Sequence, residues 1–355
     1  VGSKAEQLYF LRAKTHYALD NWQKALNDFN LAIAADKELY EAYALRGNTK
    51  FRLDDLTSAI NDYNIAIAGG IEEAIYFNNR GKAKQLSGNI EQAIEDYDKA
   101  ISTDSEYARA YENRASARYE MKNYADVIED VDKLEDLNDA NPNAFYIKAE
   151  SYYALEDWVG AISYFERAIQ GDVIKSDSYF KRGRSYLEVE DYQAALDDFN
   201  RAAEADPSNS SIYLYRAQCY LFLGDVRYAA EDYSKAITLE PENTDAYYNR
   251  AILREETENW EGALQDYDKV VQINPEDASA YYYRGNVKAV LDNYQPALKD
   301  LNKAIELNSE DASYYKLRGN IHYQLEDDLK ACEDWERAKN MGDSSVNYYL
   351  RQYCE

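Results

Sequence analysis

The chain has 355 residues, 46% of them apolar, and carries a net charge of −26. That charge repels nucleic-acid phosphate, attracts basic partners and keeps an extended surface soluble. No apolar run is long enough to span a membrane, and three cysteines are too few, and odd in number, for a disulfide framework.

A small residue recurs every 34 positions, ten times: Ala13, Gly47, Gly81, Ala115, Ala149, Gly183, Ala217, Ala251, Gly285 and Gly319. This period predicts stacked units with nearest-neighbour contacts, one array and not several globules. An aromatic stands four residues before each small one, from Tyr9 and Tyr43 to Tyr315. Ala25, Ala59 and Ala93 begin a series twelve residues after it, and Phe29, Tyr63 and Tyr97 a series four further on. Steps of four and three keep these residues on one helical face, so each unit is predicted to hold two helices. The small residues let the two backbones approach, and the large ones fill the space beside them.

The first unit also shows two polar registers that run through the chain. Eight residues after each small one comes Asn or Asp: Asn21, Asp55, Asn89, Asn123, Asp157, Asp191, Asp225, Asn259, Asn293 and Asp327. Their side chains are expected to cap the second helix of each unit. The residue after the cap is often large (Trp22, Tyr124, Trp158, Trp260) and is expected to fold over the turn. Arg precedes the small residue in nine units (Arg12, Arg46, Arg80, Arg114, Arg182, Arg216, Arg250, Arg284, Arg318). In the same nine, Asp precedes the large second-helix residue (Asp28, Asp62, Asp96, Asp130, Asp198, Asp232, Asp266, Asp300, Asp334), which suggests an Arg–Asp bridge within a unit or between neighbours.

The fourth unit has Val127, Val131 and Leu134 where others have Ala, an aromatic and Ala. Overfilling is expected to alter packing near residues 120–142, after which Asn141-Pro142 starts the next helix sharply. The fifth unit breaks the Arg–Asp pairing at both positions, with Lys148 and Tyr164, a candidate cation–π pair. From the sixth unit on, Pro207, Pro241 and Pro275 mark junctions. Cys219 and Cys332 fall at small or apolar register positions, so Cys332 is expected to be a core filler, while Cys354 alone is expected to be exposed. Residue 1 is Val, as expected of a trimmed or processed chain.

Tyr43-x3-Gly47 followed by Ala59-x3-Tyr63-x2-Ala66, repeated in phase, resembles the tetratricopeptide repeat. The resemblance covers residues 6–345 and implies an all-α solenoid: a right-handed superhelix of ten helix–turn–helix units, with 346–355 as a C-terminal capping helix. Ala331-Cys332-Glu333-Asp334-Trp335, Met341-Gly342-Asp343 and Tyr353-Cys354 resemble the tails of repeat proteins from Bacteroidetes-type bacteria. A bacterial periplasmic or envelope location is favoured over the cytoplasm on this basis.

Chemistry has little to work with. His16 and His322 lie at opposite ends of the chain, and no Cys-x2-Cys pair, His-x3-His pair or phosphate loop is present. No catalytic, cofactor or metal residue is therefore assigned. In the resembled family the first helix of each repeat lines a concave groove that holds a peptide or partner helix. Two groove sets follow. Tyr146, Tyr153, Phe180, Leu214, Phe222, Tyr248 and Tyr282, with Arg184 and Gln218, suit apolar or aromatic anchors. Lys14, Asn48, Arg52, Asn78, Lys82 and Arg109 suit a carboxylate or acidic segment. The family's carboxylate clamp is incomplete here, since no repeat follows Lys316 and Asn320. The expected function is a non-catalytic scaffold or adaptor for a protein or peptide, as a subunit of a bacterial assembly. The alternatives are a transient peptide-capturing module and a substrate-recruiting subunit of an enzyme complex.

Overall fold

A computed structural model describes residues 2–173 and 175–354, so Val1 and, in the predicted cap, Glu355 lie outside the described residues. All regular structure among the described residues is helical, and the chain divides into two compact units, Val1–Val189 and Glu190–Glu355. The first holds the pairs α1 (Gly2–Ala18) and α2 (Trp22–Ala35), α3 (Tyr40–Arg52) and α4 (Leu56–Ala68), and α5 (Ala74–Leu86) and α6 (Ile90–Thr103). It continues with α7 (Ala108–Glu120) and α8 (Tyr124–Asp136), α9 (Pro142–Ala154) and α10 (Trp158–Gln170), then α11 (Lys175–Glu188). The second holds α12 (Tyr192–Ala205), then α13 (Ser210–Phe222) and α14 (Val226–Leu239), and α15 (Thr244–Glu256) and α16 (Trp260–Ile273). It ends with α17 (Ala278–Val290) and α18 (Tyr294–Leu307), α19 (Ala312–Gln324) and α20 (Asp328–Asn340), a 3-10 turn Ser344–Val346, and α21 (Asn347–Tyr353). No described helix is long and apolar enough to cross a membrane.

Within a pair, the small residue of the first helix faces the large residue of the second. A Cβ added at Gly47 would sit 2.8 Å from the Tyr63 ring, and one at Gly319 2.8 Å from Trp335. Every first helix ends the same way, in a feature the sequence reading missed. The residue seven after the small one has positive φ in all ten repeats: Asp20, Asp54, Gly88, Lys122, Glu156, Glu190, Gly224, Glu258, Asp292 and Glu326. This left-handed residue reverses the chain and lets the next N–H donate five residues back, as Asp225 does to the Tyr220 carbonyl at 2.7 Å. Only Gly88 and Gly224 take that conformation without a side-chain cost, roughly 1–2 kcal/mol elsewhere.

The expected caps are present at half of the turns. Asp55, Asp157, Asp191, Asn259 and Asp327 accept a backbone N–H, whereas Asn21, Asn89, Asn123, Asp225 and Asn293 do not. Four of the five caps are Asp. A carboxylate presents an acceptor whichever way it turns, while an amide must present its oxygen. The large residue after the cap folds back as expected: Trp22 lies edge-on to Tyr17 at 5.0 Å and Trp158 to Tyr153 at 5.4 Å.

Eight of the Arg–Asp pairs lie within one unit, and all eight form. In a typical case Arg46 donates Nε and Nη2 to Asp62 at 2.7 and 2.6 Å. Its third nitrogen reaches Asn30 of the preceding repeat at 2.9 Å. Arg216 does the same with Asp232 and Asn200, and Arg284 with Asp300 and Asp268. The bridge therefore joins the helices of a pair and also neighbouring repeats. In the fifth repeat the buried Lys148 ammonium sits 4.0 Å from the Tyr164 ring centre and also donates to its hydroxyl at 2.6 Å. Lys148 further contacts Asp132 and Glu135, and Arg167 pairs with Glu135 while lying 3.8 Å from the Phe145 ring centre.

In the fourth repeat, Val127, Val131 and Leu134 are fully buried in one cluster within a regular helix. Val131 is smaller than the aromatics at its register, which leaves room for the larger Val127 and Leu134. The cysteine expectation is corrected. Cys332 is not a core filler but is bonded to half-buried Cys354, with Cα atoms 5.7 Å apart across 22 residues of sequence. The final segment folds back over α20, so residues distant in sequence meet. Cys219 is free and buried.

Candidate functional site

The expected groove residues separate into two groups in the structure. Asn48, Arg52, Asn78, Lys82 and Arg109, from the basic and amide set, come together. They line a cavity of about 290 Å³ with Tyr17, Phe51, Tyr63, Ile75, Asn79 and Asn113. Lys82, Arg109 and Asn113 also line an adjoining cavity of about 350 Å³ that extends to Asn143 and Ile147. The result is one trough built by the first helices α3, α5, α7 and α9. Lys14 is not part of it; its ammonium pairs with Glu41 at 3.2 Å.

The floor of this trough is a row of amides. Asn113 donates to Asn78 Oδ1 at 2.8 Å, Asn78 to Asn79 Oδ1 at 3.3 Å, and Asn79 to Asn48 Oδ1 at 2.9 Å. Tyr63, from the second helix behind, donates to the same Asn48 oxygen at 2.8 Å. Asn78 is buried, so its position is set by these bonds and not by solvent. Asn79 and Asn113 were absent from the sequence-derived set. Their register carries Leu45 and Ile147 in flanking repeats, so an Asn at an apolar register was the available signal.

Three cations edge the row. Arg52, Lys82 and Arg109 have no ion pair among the described residues; Lys82 makes only a 3.5 Å contact to Gln85, and Arg52 lies 5.9 Å from the Trp22 ring centre. The next stretch of first helices differs. There Lys181 is neutralised by Glu150 at 2.7 Å and by Asp177 at 3.2 Å, and Tyr119 also donates to Glu150 at 3.0 Å. A row of amides can pair with an extended backbone, and unpaired cations beside it can bind carboxylates.

The aromatic set lines neither cavity. Tyr146 donates to Asp177 at 2.5 Å and lies edge-on to Phe165. Tyr248 donates to Asp277 at 2.9 Å, and burial followed by that bond pushes its phenol pKa up. Tyr282 packs on Tyr314 at 5.1 Å, and Tyr153 on Trp158 with the Arg184 guanidinium 5.6 Å from its ring centre. Leu214 is buried, and Phe180 and Gln218 are half-buried. Phe222 is 64% exposed and stacks on Tyr192 at 4.4 Å. Tyr146 and Tyr248 thus reach residues some thirty positions on, in the next repeat's turn or first helix.

Family comparison agrees with this architecture. One family model described as TPR repeat matches residues 81–122 and 256–289. A second, described as Tetratricopeptide repeat, matches 114–172 and 180–226, and a third of the same description matches 210–243. The chain belongs to the tetratricopeptide repeat family. No curated protein matches it. Among solved structures, MamA 41-end from Desulfovibrio magneticus RS-1 is 21% identical over 48% of this chain and 98% of its own, with a TM-score of 0.45. The MamA RS-1 ArsTM double mutant is 20% identical over 48% and 97%, with a TM-score of 0.46. The APC/C hetero-tetramer Cut9-Hcn1 is 13% identical over 99% and 76%, with a TM-score of 0.45. The tetratricopeptide repeats of this chain form an all-α solenoid of the kind used for protein–protein interaction.

Proposed function

We propose that this solenoid is a non-catalytic scaffold that holds an extended acidic segment of a partner protein in the trough of its first repeats. The observation that carries this reading is the set of unpaired Arg52, Lys82 and Arg109 beside the Asn48–Asn79–Asn78–Asn113 row. The net charge of −26 opposes an acidic ligand at long range. Beyond about 8 Å that repulsion is screened at physiological salt, while charge-assisted hydrogen bonds at contact are not. The amides supply backbone pairing and the cations select carboxylate side chains.

A fluorescent peptide of alternating Glu and Ala, with its Lys/Ala counterpart as control, tests the reading by anisotropy. The acidic peptide is expected to bind, and Arg52→Gln/Lys82→Gln/Arg109→Gln to weaken it by about a hundredfold, equivalent to about 2.7 kcal/mol. Equal binding by wild type and the triple variant, or preference for the lysine peptide, would overturn the assignment. Asn79→Ala/Asn113→Ala is expected to weaken binding without changing its salt dependence, because neutral groups release no counterions.

A further inference from the structure

The registers that build the amide trough carry the opposite chemistry in α15 and α17. Glu256 stands at the register of Arg52, Asp245 at that of Arg109, and Ile252 at that of Lys82. Tyr248 and Tyr282 stand at the register of Asn78, and Tyr283 at that of Asn79 and Asn113. Asp245, Tyr248, Ile252 and Glu256 follow in steps of three and four, so one face of α15 presents them. Asp245, Ile252, Glu256, Tyr283 and Val290 are exposed.

The tyrosines here form a wall. Tyr283 stacks on Tyr267 at 5.8 Å, Tyr248 lies edge-on to Tyr267 at 5.8 Å, and Tyr282 edge-on to Tyr283 at 5.2 Å. A carboxylate is built into it, since the Tyr267 hydroxyl donates to Glu255 at 2.5 Å. The same register holds Gln85, which takes the equivalent bond from Tyr97 at 2.8 Å, so a carboxylate stands where the first unit has an amide. Burial pushes the Glu255 carboxyl pKa up, and the Tyr267 bond only partly offsets it. The cations of α15 and α17 do not relieve this charge. Arg250 and Arg254 are bonded to Asp266, and Arg284 and Lys288 to Asp300. Asp245, Glu255 and Glu256 pair with no cation among the described residues.

We propose that this face binds an extended, arginine-bearing segment of a partner protein, at a site separate from the amide trough. A guanidinium lies flat on an aromatic ring and forks onto a carboxylate, whereas an ammonium is a compact point charge with no plane to stack. Arg284 already combines the two contacts inside the fold. Its guanidinium carbon lies 5.2 Å from the Tyr281 ring centre while Nε and Nη2 donate to Asp300 at 2.8 and 2.7 Å. In the proposed complex the exposed Tyr283 ring takes the guanidinium face, Glu255 and Glu256 take its N–H groups, and Ile252 and Val290 cover the methylene stem.

Anisotropy of the full chain with a fluorescent peptide of alternating Arg and Ala tests the site. The peptide is expected to bind, and its Lys/Ala counterpart to bind at least about tenfold more weakly. Asp245→Asn/Glu255→Gln/Glu256→Gln is expected to weaken the arginine peptide by at least about tenfold. Glu91→Gln/Glu95→Gln/Glu129→Gln removes the same charge at exposed second-helix positions and is expected to leave binding unchanged. Tyr283→Ala is expected to weaken binding and Tyr283→Phe, which keeps the ring face, to retain it. Arg52→Gln/Lys82→Gln/Arg109→Gln is expected to leave the arginine peptide unaffected, so this site and the acidic-segment site stand or fall separately. Circular dichroism confirms that each variant keeps its helices. No binding by wild type, equal binding of the lysine peptide, or equal losses in the two charge-removing triple variants would each overturn the proposal, as would binding undiminished by Tyr283→Ala.

Discussion

An Arg–Asp pair in this chain occupies a partly buried site, and burial works against it. Asp130 shows the conflict: burial pushes its carboxyl pKa up despite the Arg114 and Arg118 guanidinium groups beside it. Arg216 lies on the other side of the balance, its pKa raised by its hydrogen bond to Asp232. Such pairs contribute mainly through geometry, since a lone buried charge costs more than the pair yields. A double-mutant cycle of Arg216→Ala and Asp232→Ala in urea unfolding is expected to give a coupling of about 1–3 kcal/mol. A coupling indistinguishable from zero would show the bridge to be idle. Two buried tyrosines offer a second comparison. The Tyr267 hydroxyl bonds Glu255 at 2.5 Å, while the buried Tyr233 hydroxyl has no partner among the described residues. Tyr267→Phe is expected to cost about 1–3 kcal/mol by leaving the carboxylate unmatched, and Tyr233→Phe to be neutral or stabilising, as read from urea midpoints.

The helices that carry these residues begin and end by local rules of unequal strength. Asp157 caps α10 through Gly160 N at 2.9 Å, but Asn123 makes no such bond to α8. Asp157→Ala is expected to lower stability by about 1 kcal/mol and Asn123→Ala by a few tenths. Equal losses in thermal unfolding would mean the caps act through backbone preference alone. The α8–α10 segment also has its own acid response. Burial pushes the Glu135 carboxyl pKa up, but bonds from Lys148, Arg167 and Tyr164 together outweigh it and hold the carboxyl below its ordinary value. A depressed carboxyl contributes stability above its unfolded pKa of about 4.3, and that contribution disappears as pH falls through the folded value. Wild type is expected to lose stability below about pH 4.3, with Glu135→Gln showing a shallower decline in urea titrations from pH 6 to 3. Parallel declines would mean the carboxyl is not depressed.

Stacked repeats share stability only with neighbours, so damage in the array stays local. Lys148→Ala removes the cation that Asp132, Glu135 and Tyr164 share, at an expected cost of about 3 kcal/mol. Hydrogen exchange is expected to show lost protection concentrated in α8, α9 and α10, with α3 and α4 retaining theirs. Uniform loss throughout the first unit would show instead that it opens as one cooperative body.

The helix pairs, the small-against-large packing and the inter-helix Arg–Asp contacts were legible without coordinates. Each depends on residues at a constant spacing, so ten copies of Ala or Gly, eight of them facing Ala and an aromatic, report one packing solution many times over. The left-handed residue at every turn was not legible, because Asp, Glu and Lys occupy it as well as Gly and carry no visible sign of positive φ. Nor was the state of each cation. Lys181 and Lys82 read alike in sequence, and only the fold shows that Glu150 and Asp177 meet the first while no carboxylate among the described residues pairs with the second. The Asn48–Asn79–Asn78–Asn113 row needed three neighbouring first helices to converge on one floor. The Cys332–Cys354 bond needed the last helix to fold back on α20. Periodic contacts are encoded by spacing along the chain; pairings at a few non-periodic side chains depend on where the packed helices place them.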